Sequence, residues 1–286
     1  MTAGRRRVLV VGATGVLGRQ VVPRLVARGH IVRAVVRRIE DAEMLLGRGV
    51  EVTRGDLLDA RSLQGVAWRC DVALHLATAV PRPGAPLDFT LNDRIRREGT
   101  VNLITECRAR GVRRYVQQSI AFIYGDHGDE IVDERSEIRP PPLACSAADM
   151  ERIVRESGLA WAILRGGSFY GPGTGREESL RREARAGTLR VPGDGSAWLS
   201  LVHVEDMATA VVAAAERDDP ELLLNVVDDA PVRFRELYDH VARVAGAPPP
   251  PAGAPARLPS VRCSNARARA VLSWAPAHPT YRDAAW

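Results

Sequence analysis

Residues 7–18 read RVLVVGATGVLG, and they predict the first strand, turn and helix of the chain. A short apolar run over 7–11 enters a turn with glycines at positions 12, 15 and 18, and an amphipathic segment follows over 17–28. The run indicates a buried strand and the amphipathic segment a helix. Arginines at positions 5–7 precede the run, as in a secretory signal, but the run stops after a few residues, so we interpret it as a first strand.

The alternation of strand and helix continues through the first 165 residues. Apolar runs predict buried parallel strands at 7–11, 31–36, 50–53, 71–76, 113–118 and 160–164, with helices at 17–28, 41–47, 91–110 and 148–157. This βαβ rhythm predicts an α/β fold, a Rossmann doubly wound parallel sheet with the strand order 3-2-1-4-5-6.

Beyond residue 166 the rhythm loosens. We expect helices at 178–186, 205–215 and 233–245, strands at 188–191, 199–202 and 222–227, a stiff proline-rich connector at 248–255 and a last helix from 265. The chain is therefore predicted to form a Rossmann domain at 1–165 and a smaller C-terminal substrate-binding lobe at 166–286, with the two free to interleave.

Composition excludes several kinds of protein and of chemistry. The chain has 286 residues, of which 45% are apolar and 26% charged, so it can bury a core. All 40 basic residues are arginine. No lysine is present to form a Schiff base, to act as a general base or to complete a Walker motif.

The composition also indicates which kinds of partner and which cellular compartment to expect. No stretch approaches eighteen consecutive apolar residues, so no membrane partner is expected. The arginines are scattered among 35 acidic residues, which speaks against nucleic acid as a partner. Four cysteines lie far apart, which fits a reducing cytoplasm. We expect a small-molecule substrate and no metal site.

The three glycines predict a dinucleotide site. Glycine at this strand-to-helix junction permits a tight turn and close approach of the backbone to a pyrophosphate, and the helix N-terminus faces the anion. A glycine-rich turn without a ligand is the weaker alternative. The residues predicted to line this part of the site are Gly12, Thr14, Gly15, Val16, Leu17 and Gly18.

The end of the second strand favours NADP over NAD. NAD-binding proteins usually carry an acidic residue there to bond the ribose hydroxyls, but this strand ends in Arg37 and Arg38. Arginine suits a 2′-phosphate, and Arg19 could help. The alternative is that Arg37 and Arg38 are solvated surface residues.

Landmarks along nearly the whole chain resemble the extended short-chain dehydrogenase/reductase superfamily, the NAD-dependent epimerase/dehydratase family. The landmarks are the glycine turn, GDL at 55–57, DVALHLA at 71–77, EGTVNL at 98–103, IYG at 123–125, FYGPG at 169–173 and VHVED at 202–206. The resemblance implies that Asp56, Leu57, Leu76 and Ala77 also contact the cofactor. It further implies a homodimer that pairs the helices at 91–110 and 148–157, with Met150, Ile153 and Val154 as apolar candidates on the second helix.

The groups that this family uses for catalysis are missing at the expected positions. The family helix reads Tyr-x-x-x-Lys-x-x-x-Glu, and Glu151 fits the final acid. Counting back places Leu143 at the tyrosine and Ala147 at the lysine. Ile120 takes the Ser/Thr position and Arg96 the Asn position. A leucine cannot exchange a proton and an alanine cannot hold a ribose.

Three residues are candidates to act instead. Tyr124 could donate a proton, or it could pack as the family's Tyr-Gly landmark. Ser119 could bond a substrate oxygen, or it could be a small residue at a strand end. Arg96 could bind a substrate carboxylate or phenolate, or it could be a surface arginine. Tyr170 and Arg176 are expected to border the substrate cleft or to pack in a loop.

The sequence therefore predicts an atypical NADP(H)-binding enzyme that acts on a small metabolite, of the kind made in secondary metabolism. Its chemistry would be non-standard: a cyclisation, an isomerisation, a dehydration, or a reduction that uses another proton donor. Two alternatives stay open. One is an ordinary NADPH-dependent reductase or epimerase of a sugar or polyketide ketone, and the other is a non-enzymatic NADP-binding sensor.

Overall fold

A seven-stranded parallel sheet forms the centre of the computed structural model, which describes residues 4–45, 49–81 and 86–283. The strands of the described residues are β1 (Arg7–Val11), β2 (Ile31–Val36), β3 (Val50–Arg54), β4 (Val72–His75), β5 (Arg114–Ile120), β6 (Ile131–Val132), β7 (Ala160–Gly166), β8 (Ser168–Tyr170), β9 (Trp198–Leu199), β10 (Leu201–His203), β11 (Glu221–Val226), β12 (Val232–Arg233) and β13 (Arg262–Cys263).

The helices lie mostly between these strands. They are α1 (Val16–Ala27), α2 (Thr90–Arg94), α3 (Thr100–Ala109), α4 (Cys145–Arg155), α5 (Arg176–Arg185), α6 (Val204–Ala215), α7 (Phe234–Val244) and α8 (Ala266–Leu272). A π-helical turn, Ile95–Gly99, joins α2 to α3, so the helix predicted at 91–110 carries a local distortion in its first half.

The order of the central sheet is β11-β7-β5-β4-β1-β2-β3. The predicted Rossmann fold and its 3-2-1-4-5-6 order are confirmed, with β7 as the sixth strand. β11 adds a seventh position, because it pairs in parallel with β7 along its whole length. No helix of the described residues has the length and apolar composition needed to cross a lipid bilayer.

Two apolar layers cover the faces of the sheet. One layer packs α1, α6 and α8 against residues such as Val10 and Leu224. The other packs α3 and α4 against residues such as Leu9 and Tyr115. Neighbouring residues of a strand point to opposite faces, so the nearly continuous apolar runs of the sequence are what a sheet buried on both faces requires.

The remaining elements form a smaller lobe around a third apolar cluster, which includes Leu237 of α7 and Val232 of β12. Its strands form the pairs β8–β10, β9–β12 and β6–β13. Within it, the Tyr170 hydroxyl donates to Asp228 over 2.8 Å, and burial raises the pKa of Asp228 to about 7. The chain leaves the lobe at α6 and β11 to complete the Rossmann layers, so segments of 166–286 interleave with the sheet.

Three local predictions need correction. The segment predicted as a helix at 41–47 forms a 3₁₀ segment, Ile39–Leu45, and the predicted end at 47 lies outside the described residues. The strand predicted at 188–191 is a single bridge between Val191 and Ala252. The partner segment contains prolines at 248–251, which lack the amide hydrogens that a longer ladder needs.

The third correction concerns the predicted dimer helix α4. Met150 and Val154 are 2% and 0% exposed within one protomer, so they pack inside it and cannot contact a second copy. Leu91 of α2 and Val101 of α3 are exposed apolar residues.

Candidate functional site

The glycine turn brings three backbone segments into direct contact. Gly12 has φ +89°, and a Cβ atom there would lie 2.6 Å from the amide nitrogen of Ala77. A Cβ atom at Gly18 would lie 2.1 Å from the carbonyl oxygen of Gly12. No other residue fits at either position, so the two glycines hold the turn against the end of β4 and against the first turn of α1.

The N-terminus of α1 fits an anionic ligand. No side chain caps this helix, and its first turn contains no acidic residue. Gly15 and Val16 are exposed beside it. Free N–H groups at an exposed helix N-terminus are the usual binding site of a pyrophosphate. The turn therefore fits a nicotinamide dinucleotide, which would supply or accept a hydride when bound.

The other predicted cofactor residues border the same edge of the sheet. The carboxylate of Asp56 accepts a hydrogen bond from the amide of Leu58 over 2.9 Å. Asn102 donates to the carbonyl oxygen of Leu57 over 2.8 Å, and a Cβ atom at Gly99 would lie 3.0 Å from that of Leu57. The structure thus brings residues 12–18, 56–57 and 76–77 to the carboxyl ends of β1, β3 and β4.

The two arginines after β2 are exposed, as a 2′-phosphate site requires. Arg38 forms an ion pair with Asp41 over 2.8 Å. Arg37 forms no ion pair with any described residue, so its guanidinium is available to a ligand. Arg19 donates from Nε to the carbonyl oxygen of Thr14 over 2.8 Å, which orients it beside the glycine turn.

The positions assigned to the family's tyrosine and lysine lie at the start of α4. Leu143 is half-buried in a 3₁₀ turn, Pro142–Ala144, directly before the helix. Ala147 is fully buried in the first turns of α4. Neither side chain has a titratable group, so neither can exchange a proton with a ligand.

Glu151, one helical turn further along α4, is the centre of a buried ion cluster. Its carboxylate accepts two bonds from Arg165 of β7, at 2.9 and 2.7 Å, and one from Arg155 at 2.8 Å. Ser119 of β5 donates its hydroxyl to the same carboxylate over 2.7 Å. Burial alone would raise the pKa of Glu151, but the hydrogen bonds and charge of Arg165 outweigh it and lower that pKa.

In this arrangement the hydroxyl groups of Ser119 and Tyr124 are buried and bonded to other residues of the protein. The Ser119 hydroxyl is 1% exposed and its hydrogen is directed to Glu151. Tyr124 is fully buried and donates to the side-chain oxygen of Asn225 over 2.8 Å. The guanidinium carbon of Arg165 lies over the Tyr124 ring, 4.7 Å from the ring centre. Burial raises the pKa of Tyr124. Its placement favours the landmark alternative over proton donation.

Arg96 is the predicted candidate that keeps free hydrogen-bonding capacity. It lies in the π-helical turn, 6% exposed, and its Nη1 atom donates to the Ser146 hydroxyl over 3.1 Å. Ser146 in turn donates to Asp93 over 2.6 Å. Burial lowers the pKa of Arg96 to about 10, so it remains a cation at neutral pH. No carboxylate of the described residues forms an ion pair with it, and it contacts the residue next to Ala147.

Residues 8–226 match the NAD dependent epimerase/dehydratase family. The chain belongs to this family. Among curated relatives it is 39% identical to a 3-diazoavenalumate denitrifying reductase of a Streptomyces species, over 97% of this chain and 98% of that protein. It is 30% identical to a UDP-glucose 4-epimerase of Mycolicibacterium smegmatis, over 94% of this chain and 93% of that protein.

Solved structures agree with the family assignment. The UDP-glucose 4-epimerase of Thermus thermophilus, in complex with NAD, superposes with a TM-score of 0.78 at 27% identity, covering 95% of this chain and 94% of that one. MoeE5 in complex with UDP-glucose and NAD gives 0.79 at 28% identity, covering 94% and 93%. The family binds nicotinamide dinucleotides and acts on small molecules.

The sequence analysis did not identify three residues that hold the candidate site together. Arg165 binds Glu151, and Asn225 accepts a hydrogen bond from Tyr124. Asp93 accepts a hydrogen bond from Ser146, which in turn accepts one from Arg96. A signal for Arg165 was present, because this charged residue directly follows the apolar run at 160–164, and a buried charge requires a partner. No local pattern pointed to Asn225, which lies about a hundred residues from Tyr124 in the chain.

We expect Glu151→Gln to destabilise the protein by about 3–5 kcal/mol, because it leaves the buried charge of Arg165 without a counterion. Urea unfolding at pH 7 measures this. Glu156→Gln, directly after the same helix, is the matched control, since Glu156 forms an exposed ion pair with Arg152. It should cost less than about 1 kcal/mol.

The stabilisation by Glu151 should also depend on pH. Its pKa is lowered in the folded state, so its contribution is present above about pH 4.5, the unfolded value, and is lost as the pH falls through the folded value. Glu151→Gln should remove this part of the acid dependence. Equal losses for the two variants would contradict the role given to the buried cluster.

Proposed function

We propose that this family member is an NADPH-dependent reductase that delivers hydride to a substrate needing no proton from the protein, and that the substrate is an aryl diazonium compound. The observation that carries the proposal is the amino-acid composition, together with the positions assigned to the family's acid/base pair. The chain contains no lysine, and the two positions assigned to the family's acid/base pair are Leu143 and Ala147. Support comes from the relative named as a denitrifying reductase of a diazo compound.

A ketone and an aryl diazonium ion differ in whether their reduction by hydride also consumes a proton. Reducing a ketone adds hydride to carbon and a proton to oxygen, so a positioned acid accelerates it. Reducing an aryl diazonium ion adds hydride to the ring carbon while the carbon–nitrogen bond breaks and its electron pair leaves with N₂. Two electrons and one hydrogen pass from the reduced cofactor to the arene. The positive charge of the substrate and the negative charge of the hydride cancel, and no proton enters the step.

The chain's own residues would bind and orient the reactants. Residues 12–18, 56–57 and 76–77 would hold the dinucleotide at the carboxyl edge of the sheet. The half-buried, apolar side chain of Leu143 would help to exclude water from a hydrolysable diazonium group. Arg96 would hold an anionic group of the substrate, such as a carboxylate or phenolate. This assignment replaces a cyclase, isomerase or dehydratase, because the 39% identical relative is named as a reductase.

Deuterium transfer tests the reaction. The protein is given NADPH deuterated at C4, in separate 4R and 4S forms, with 4-carboxybenzenediazonium, and the benzoate formed is analysed by mass spectrometry. We expect one deuterium at the carbon that carried nitrogen, from one of the two forms, together with N₂ and stoichiometric NADP⁺. Acetophenone, a ketone of similar size, should be reduced at least a hundredfold more slowly.

Two variants control this experiment. Gly18→Val should abolish transfer, because its side chain would clash with the Gly12 carbonyl. Gly4→Ala should be neutral, since nothing lies within 4 Å of a Cβ atom there. Arene without deuterium, or a ketone reduced as fast as the diazonium ion, would refute the proposal and favour the ordinary reductase.

The preference for NADP over NAD is a second part of the proposal, supported by exposed Arg37 and Arg38 after β2. Arg37→Ala should weaken NADPH binding about 10- to 100-fold and leave NADH binding unchanged, because a charge-assisted bond to a phosphate is worth about 1.5–3 kcal/mol. Calorimetry with both cofactors measures this. Arg185→Ala, an exposed arginine of α5, is the control. Tighter binding of NADH to the unaltered protein would show that the assignment is wrong.

We also propose that the protein is a homodimer through the side of α2, α3 and α4, supported by exposed Leu91 and Val101. Light scattering at micromolar concentration should give twice the 31.1 kDa chain mass. Val101→Arg should give the monomer, and Val244→Arg, at an equally exposed valine of α7, should not. A monomeric unaltered protein would contradict the proposal.

A further inference from the structure

Arg176, the first residue of α5, is a half-buried cation without a carboxylate partner. Its Nε atom donates to the carbonyl oxygen of Phe169 over 2.9 Å, and its Nη2 atom donates to the Ser168 hydroxyl. No carboxylate among the described residues forms an ion pair with it. The adjacent Glu177 is engaged elsewhere, because it accepts bonds from the Gly171 amide and the Thr174 hydroxyl.

The two anchors place this guanidinium beside the reaction edge of the sheet. Ser168 opens β8, two residues after β7 ends at Gly166. Gly166 is the register partner of Ile120, the last residue of β5 and the position assigned to the family's Ser/Thr. Arg176 therefore reaches from the smaller lobe to the carboxyl ends of β5 and β7, where an open α/β sheet binds its ligands.

The hydrogens that Arg176 keeps free form a carboxylate-binding fork. A guanidinium has five N–H groups, and the bonds to Phe169 and Ser168 use one on Nε and one on Nη2. Two hydrogens on Nη1 and one on Nη2 remain. One from each nitrogen can bind the two oxygens of a carboxylate in parallel. Burial lowers the pKa of Arg176, so an anion that enters the cleft would supply the missing counterion.

We propose that Arg176 binds the carboxylate of the substrate, which makes the substrate class an aryl carboxylate. The inference rests on the proposed function for the identity of the reacting group, but it concerns only the anchoring end of the molecule. Arg96 and Arg176 then approach the substrate from the Rossmann layers and from the lobe, respectively. A nucleotide sugar such as UDP-glucose, which is bound in the solved structure of MoeE5, carries a diphosphate and is the competing kind of ligand.

Calorimetry with an unreactive ligand tests the anchor apart from the reaction. The unaltered protein, saturated with NADP⁺, is titrated with 4-hydroxycinnamate, with the corresponding primary amide and with UDP. We expect the acid to bind at least tenfold more tightly than the amide and than UDP, since only the acid can take both free N–H groups as an anion. Equal affinity for acid and amide would overturn the proposal without any substitution.

Substitutions identify the residue. Arg176→Gln should weaken 4-hydroxycinnamate binding at least tenfold and leave the weak binding of the amide unchanged. Arg176→Lys, which keeps the charge but not the fork, should restore only part of the affinity. Arg185→Gln, exposed at the other end of α5, is the matched control and should bind like the unaltered protein. Full affinity in folded Arg176→Gln, or loss of UDP affinity larger than that of the acid, would overturn the proposal.

The outcomes for the two proposals are separable. If acid binding depends on Arg176 but no deuterium is transferred to a diazonium ion, the role of Arg176 stands and the proposed reaction is wrong. If deuterium is transferred at equal KM for 4-carboxybenzenediazonium and unsubstituted benzenediazonium, the reaction stands and the role of Arg176 is wrong. If the anchor is correct, Arg176→Gln raises KM for the carboxylated substrate and leaves it unchanged for the unsubstituted one.

Discussion

The buried carboxylate of Glu151 joins three elements of this protein: helix α4 and strands β5 and β7. It ties α4 to β7 through Arg165 and to β5 through Ser119. Taking these charges out of water is costly, and the cost is offset only because the two bonds from Arg165 and one from Arg155 satisfy the carboxylate. Arg165 also lies over the ring of Tyr124, so the same cluster sets the position of that phenol.

This constraint determines which polar groups are free to meet a ligand. Ser119 and Tyr124 have the residue types of catalytic groups, but their hydroxyl hydrogens are directed to Glu151 and Asn225. The cations Arg96 and Arg176 are held differently, by hydroxyl and carbonyl groups that leave N–H groups uncommitted. The hydroxyl groups of Ser119 and Tyr124 are therefore engaged inside the fold, while the two guanidinium groups keep N–H groups that the proposed anionic substrate would use.

The glycine turn after β1 and the start of α4 differ in how far they keep the features of the family. The glycine turn at β1 keeps the features that a dinucleotide needs, including the contacts that admit no side chain at Gly12 and Gly18. At α4 the positions assigned to the family's acid/base pair are Leu143 and Ala147, and the chain contains no lysine. A shared fold therefore does not fix a shared reaction. In the proposed reduction of a diazonium ion, hydride transfer and loss of N₂ complete the step, so a cofactor site suffices without an acid/base pair.

The nucleotide-binding half and the exclusion of lysine chemistry could be predicted from local sequence and composition. The strand, the turn and α1 follow from residues 7–28 because their contacts are local, and the absence of lysine is a matter of composition. The tertiary structure decided the rest. β11 joins the sheet through pairing with β7, although its apolar run ELLLNV would also suit a strand of the lobe. Asn225, distant in the chain, accepts the hydrogen bond of the buried Tyr124 hydroxyl, and the Arg176 side chain is held by its bonds to Ser168 and Phe169. Burial and hydrogen-bond partners of this kind depend on how separate segments pack, and no pattern within either segment specifies them.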